Sequence, residues 1–176
     1  MLTHRLATAA DLEALSAIMA LAICHNQAAF LDADQIEASS AVMGLDTQLV
    51  ADGTYYVVEV EGRAVGCGGW SYRATTYGGD HSEGLRDAAL VDPEHDPARI
   101  RAMYTHPDFT RRGIGRRILT LCEGAAREAG FASVVLMATL SGEPLYRAAG
   151  FDEVERHIDT VNGIEVPLIL MRKSLA

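Results

Sequence analysis

The residues best suited to chemistry lie together in Thr105–Arg117, T-H-P-D-F-T-R-R-G-I-G-R-R. A strand-like stretch leads into this segment, Pro107 breaks the extended run, and a helical pattern follows from Gly113. The first N–H groups of a helix lack backbone partners and carry partial positive charge, so such a junction binds anions. Glycines at 113 and 115 remove Cβ atoms and let a phosphate approach the backbone. Arg111, Arg112 and Arg116 add charge at the same end. Arginine opposes the helix dipole there, so several of them make sense with an anion between them. A tight strand-to-helix turn with solvated arginines fits the same residues. Two nucleotide motifs do not fit. Gly113-Ile-Gly115-Arg-Arg-Ile118 lacks the third glycine of G-x-G-x-x-G, and no Walker A sequence occurs.

Several elements must position this segment. Thr8-x-x-Asp11 resembles a capping box, and Leu12, Leu15, Met19 and Ala22 then recur at helical spacing, predicting a helix that ends near His25. A weaker helical pattern covers 34–42. Thr54–Val60 (TYYVVEV) and Ala64–Tyr72 (AVGCGGWSY) predict a hairpin turning at Glu61-Gly62-Arg63. Within it, Gly66-Cys67-Gly68-Gly69 signals a bulge or a close backbone approach. Residues 73–98 are Gly-, Asp- and Pro-rich, a loop long enough to suggest function. Arg99–Thr105 (RIRAMYT) alternates as a strand, and Gly113–Ala129 reads as a helix closed by Gly130. Phe131–Thr139 (FASVVLMAT) has the apolar character of a central strand. Ser141 suits the cap of a short helix with Pro144 in its first turn. Phe151–Val161, Asn162-Gly163 and Ile164–Arg172 predict a hairpin with a type I′ turn, and Pro167 marks its last strand as an edge or bulged strand. The order ααββ–βαβα–ββ indicates a mixed α/β or α+β sheet with one crossover helix.

The 176 residues suit one domain, with a core burying about 70% of the unfolded surface. Hydrophobic residues make up 49% and charged ones 22%, which excludes disordered and collagen-like chains. The longest apolar runs, such as Val134–Leu140, are far short of the ~18–20 residues of a membrane span, and the N-terminus lacks a clean signal-peptide core. A soluble, cytoplasmic protein with no membrane partner is expected. Cys24, Cys67 and Cys122 are far apart with no CxxC pair, so they read as small buried hydrophobes, and no metal is expected. The net charge of −9 argues against nucleic acid as a partner. Residues 1–62 hold nine acids and one base, whereas 99–117 hold six arginines and one acid. A basic island in an acidic chain suggests a local anion site.

Two blocks carry a family resemblance. Thr110-Arg-Arg-Gly113-Ile-Gly115 after Pro107, and Pro144-Leu-Tyr146-Arg-Ala-Ala-Gly150-Phe151, together resemble the GCN5-related N-acetyltransferase (GNAT) signature, in which Arg or Gln, two residues, Gly, one residue, then Gly or Ala follow a strand. Thr110 replaces the usual Arg or Gln, and Thr139 stands where an asparagine is frequent. The element order matches over nearly the whole chain, which implies one GNAT-like domain spanning 1–176. Its fold would be a mixed, mostly antiparallel central sheet with a splayed parallel pair and flanking helices. The resemblance also implies acetyl-CoA as cosubstrate. Its diphosphate would sit on the loop amides of Arg111, Arg112, Gly113, Ile114, Gly115 and Arg116, and its pantetheine arm beside Met103, Tyr104 and Thr105. Tyr146 would lie near the thioester sulfur as general acid. The acceptor would be an amine of a small molecule or peptide. A homodimer stays open as a partner.

Residue chemistry qualifies that role. A phenol of pKa ~10 stays protonated at neutral pH, while a thiol titrates near ~8.5, so full proton transfer to the leaving thiolate is uphill by about 2 kcal/mol. Tyr146 then acts mainly as a hydrogen-bond donor, or else packs as a core aromatic beside Phe151. Strand 99–105 carries no carboxylate. The candidates for a general base are Glu59, Asp80, His81, Glu83, Glu94 and His106, each equally readable as a loop or strand residue. A water chain without a direct base also serves. The acidic segments 1–62 and 73–98 suggest a cationic acceptor. The competing readings are a catalytically idle acyl-CoA-binding regulatory module and an interaction domain that binds no CoA.

Overall fold

The β-branched and aromatic stretches become strands of one sheet. The computed structural model describes residues 1–176. Its strands are β1 (Leu2–Leu6), β2 (Tyr55–Val60), β3 (Arg63–Ser71), β4 (Ala98–Thr105), β5 (Ser133–Thr139), β6 (Asp152–Val161) and β7 (Ile164–Ser174). Its helices are α1 (Leu12–Asn26), α2 (Ala33–Val42), α3 (Thr47–Ala51), α4 (Ile114–Glu128) and α5 (Glu143–Ala148). The sheet order is β1-β2-β3-β4-β5-β7-β6, and every neighbouring pair is antiparallel except the parallel pair β4–β5. The expected mixed α/β sheet with flanking helices is therefore the observed one. No helix is long and apolar enough to cross a membrane.

Two core clusters lie on opposite faces. Val57 and Val58, adjacent on β2, fall into different clusters, as strand alternation requires. The larger packs α4 residues Ile114, Ile118, Leu119 and Cys122 against β4, β5 and β7. The smaller packs Leu15, Ile18 and Met19 of α1 and Leu49 of α3 against Tyr55, Val57 and Cys67.

Several expectations need correction. β1 and α3 were not anticipated. LTHRL is too polar to read as a strand, and it forms only by pairing its backbone to β2 at the sheet edge. α3 is five residues long and is nucleated by its cap, the Asp46 carboxylate accepting from Gln48 N–H at 3.1 Å. β7 is not an edge strand, because β6 and β5 flank it. Pro167 is tolerated because pairing with β5 begins only at Leu168, so its missing N–H falls where β7 has one neighbour. The short helix is preceded by Gly142 at its cap rather than Ser141. Cys24 is exposed, whereas Cys67 and Cys122 are buried as expected. The Thr8–Asp11 capping box forms, with the Asp11 carboxylate accepting from Thr8 N–H at 2.8 Å. Asn162 and Gly163 both adopt positive φ, as a type I′ turn requires.

Candidate active site

The site begins with a defect in β4. Cys67 pairs with Tyr104 but Gly69 pairs with Arg101, so Ala102 and Met103 stand opposite Gly68 alone. Ala102 takes φ +50, and the Tyr55 hydroxyl donates to its carbonyl at 2.6 Å, holding this bulge from the buried side. A bulge bends its strand. Pairing between β4 and β5 stops at Arg99–Val135, and beyond it the two strands splay apart. The glycine run on β3 permits the bend, because a Cβ on Gly68 would stand 2.7 Å from Ile118 Cγ2 and 2.8 Å from Met103 Cγ.

Beyond Thr105 a short 3-10 turn over Pro107–Phe109 leads to the loop. Arg111 (φ +64) and Gly113 (φ +79) are both left-handed, a conformation in which successive N–H groups form an anion-binding concavity. The backbone N–H groups of Arg111, Arg112, Gly113, Ile114, Gly115 and Arg116 donate to no protein acceptor, and the ladder of α4 resumes only with Arg117 N–H to Gly113 C=O at 3.0 Å. Six free donors in sequence exceed the four that any helix start leaves open. Gly115 serves packing as well, since a Cβ there would meet Leu145 Cδ2 of α5 at 2.8 Å.

The arginines of the island part company. Arg117 bonds the Leu2 carbonyl, Arg99 the Pro97 carbonyl, and Arg101 is buried against Asp46. At the loop, Arg116 reaches the Ala148 carbonyl at 3.1 Å and Arg112 stacks over the Phe109 ring at 4.9 Å. Arg111 alone of these side chains has no partner drawn from the protein.

A cleft of ≈ 750 Å³ joins this loop to the splay. Of the ten residues expected at the site, nine line it: Met103, Tyr104, Thr105, Arg111, Gly113, Ile114, Gly115, Arg116 and Tyr146. Arg112 does not, because its guanidinium lies on Phe109. A smaller cavity of ≈ 90 Å³ is walled by Met43, Gly44, Thr76, Tyr77, Gly78 and Arg101, among others. The two share Met43, Met103, Tyr104, Thr139 and Tyr146. Tyr146 is thus at the junction, 9% exposed, its hydroxyl 3.7 Å from Met103 Sδ and its ring edge-on to Phe151 at 5.8 Å. Tyr146 packs in the core beside Phe151 and also presents its phenol to the cavities. Burial, with a smaller effect of Cys122, pushes that phenol well above its ordinary pKa of about 10. Thr139 lends its hydroxyl to Gly142 N–H at 3.1 Å, fixing the start of α5.

None of the expected general bases lines either cavity. Glu59 is paired with Arg5 at the far edge, and Asp80 accepts from Thr47 N–H at 3.0 Å. Glu94 lies with Asp92 and His95 on the surface, and His81 and Glu83 are exposed. His106 is buried, its Nδ1 accepting from Asp108 N–H and its Nε2 3.1 Å from Arg63. Segments 1–62 and 73–98 do wall the smaller cavity, but their nearby carboxylates are spent on arginines: Asp46 on Arg86 and Arg101, Asp52 on Arg73. Sequence reasoning missed the cluster of Tyr77, His157 and Asp159. The two β6 members stand two apart in the chain and so share one face of their strand, which is the signal that marks them.

A splayed parallel strand pair, an open N–H loop at a helix start and a buried phenol between two cavities have the shape and donors to suit an extended anionic ligand. The family model of the acetyltransferase (GNAT) domain matches residues 51–153, and the chain belongs to that family. Solved structures share the fold. A GCN5-related N-acetyltransferase from Rhodopseudomonas palustris superposes with TM-score 0.73 at 21% identity, covering 98% of this chain and 94% of that one. YncA from Salmonella typhimurium, solved with its cofactor acetyl-CoA, gives 0.65 at 20% identity over 99% and 94%. PaiA N-acetyltransferase from Thermoplasma acidophilum, in complex with coenzyme A, gives 0.65 at 14% over 99% and 99%. The search of curated proteins returned no match.

Proposed function

We propose that residues 1–176 act as one acetyltransferase domain that moves the acetyl group of acetyl-CoA directly to an amine of a small molecule or peptide. The observation that carries this reading is the run of six unpartnered N–H groups, Arg111 to Arg116, at one end of a cleft whose other end is Tyr146. The residues fit the cosubstrate. The free donors and the Arg111 guanidinium suit a diphosphate. The unpaired edge of β4 at Met103, Tyr104 and Thr105 offers backbone partners to the amides of a pantetheine arm. A cleft of ≈ 750 Å³ is the size of a cofactor site.

Bound acetyl-CoA supplies an activated acetyl thioester. Tyr146 stays protonated and donates a hydrogen bond to the sulfur as the C–S bond breaks. The nitrogen of a neutral amine forms the new bond to the acetyl carbon and loses one proton, while the departing thiolate gains one. No nucleophile of the protein is needed. Thiol release from acetyl-CoA across amines, polyamines, amino acids and antibiotics tests the reading, with initial rates following an intersecting, ternary-complex pattern. Parallel lines overturn direct transfer. CoA binding without thiol release for any amine replaces the enzyme with an idle CoA-binding module.

A further inference from the structure

Charge is distributed unevenly around the smaller cavity. Its buried wall is positive. Arg101, 4% exposed, places Nη2 2.9 Å from Asp46 Oδ2, while Arg86 Nη2 bonds Asp46 Oδ1 at 2.9 Å. Arg101 is the one charged residue that lines the space Tyr146 also lines, and it shares its carboxylate partner with Arg86. An ammonium is disfavoured there and a neutral amine is not, which suits a nitrogen that must react with its lone pair free.

The half-exposed rim is the opposite. Tyr77 lines the cavity, and its ring stands edge-on to His157 with centroids 6.4 Å apart. His157 and Asp159 stand two apart on β6 and so share the strand face on which Tyr77 packs; burial first and the Asp159 carboxylate second push the Tyr77 phenol above its ordinary pKa. Asp159 has no lysine, arginine or histidine within ion-pair distance, in contrast to Asp46 and Asp52 behind it. A half-buried carboxylate without a counter-ion, flanked by an aromatic face, is a seat for a cation. The loop that carries Tyr77 is held by Thr75 bonding Asp87 and by Arg73 on Asp52, so the seat is built rather than incidental.

We infer that the acceptor is a small diamine: one nitrogen enters uncharged beside Tyr146, and the second remains an ammonium on Asp159, Tyr77 and His157. This rests on the acetyltransferase reading and adds the substrate class. A cavity of ≈ 90 Å³ admits a linear alkylamine and little more.

The test compares 1,3-diaminopropane to 1,6-diaminohexane with alkylamines of matched length, by thiol release from acetyl-CoA. At least one diamine is expected to exceed its matched monoamine in kcat/KM by about tenfold. Asp159→Asn is expected to bring that ratio near one, and Asp159→Glu to restore part of it. Acetylation of both amine types at equal kcat/KM overturns the diamine inference and leaves the acetyltransferase reading intact. A ratio unchanged in Asp159→Asn overturns the assignment of the seat. No thiol release from any amine overturns the reading itself, and the inference with it.

Discussion

Burial of Tyr146 limits what its phenol is able to do. A raised pKa in an acid means that the neutral form persists to higher pH, so Tyr146 remains a donor across the whole neutral and mildly alkaline range. Transfer of its proton to a thiolate is uphill by more than the about 2 kcal/mol that unperturbed groups would give. In the proposed reaction the phenol therefore helps by hydrogen bonding to developing charge. Replacing it by Phe removes a charge-assisted hydrogen bond and should lower kcat by about 10- to 100-fold, with the KM for acetyl-CoA within about twofold. Profiles of kcat from pH 6 to 9.5 should run parallel for the wild type and Tyr146→Phe. An alkaline fall in the wild type that vanishes in the variant would show the phenol titrating in this range and contradict its raised pKa. Tyr146 was legible only through its sequence context, because one aromatic beside another has the same pattern in a core as in a site. For Asp159 and His157 the sequence holds only the shared strand face; their meaning comes from Tyr77, eighty residues from His157 in the chain.

Among the elements, β4 decides the geometry. Its bulge at Ala102 and Met103 separates it from β5, and the opposing glycines of β3 make room for α4 to lie close beneath. Gly68→Ala places a methyl 2.7 Å from Ile118 Cγ2 and 2.8 Å from Met103 Cγ. Overpacking of this kind costs about 1–3 kcal/mol, which for a chain of this size lowers Tm by roughly 3–10 °C. Because Met103 must move, acetyl-CoA binding should weaken in the same variant. A calorimetric titration that finds unchanged affinity, beside a lowered Tm, would show that the bulge does not set the cosubstrate cleft. The glycine run was readable in the sequence as a bulge or a close backbone approach, and the structure has the close approach at the glycines with the bulge on the facing β4; the helix start at Gly113 was readable too, since both follow from local backbone rules. The strand β1 was not readable: a polar pentapeptide becomes a strand only when a partner's edge is already there.

For the whole molecule, the net charge of −9 says less than where its carboxylates go. Arg5 binds Asp11 and Glu59, Arg73 binds Asp52, and Arg147 with Arg156 clamps Glu143 and Glu153 between α5 and β6. These carboxylates join elements together instead of facing an acceptor, and no count of residues in a segment reveals that pairing. The same bookkeeping leaves the amides of 111–116, in the loop at the larger cleft, without acceptors and Asp159, on the β6 face beside Tyr77, without a counter-ion. The amides carry the larger part of the account. Their most direct test is a ¹⁵N–¹H correlation spectrum recorded while coenzyme A is titrated into the full chain. The account predicts that the amide resonances of residues 111–116 show the largest shifts and move downfield, as amides that acquire an anionic acceptor do. Saturating coenzyme A that leaves those six resonances in place would contradict it.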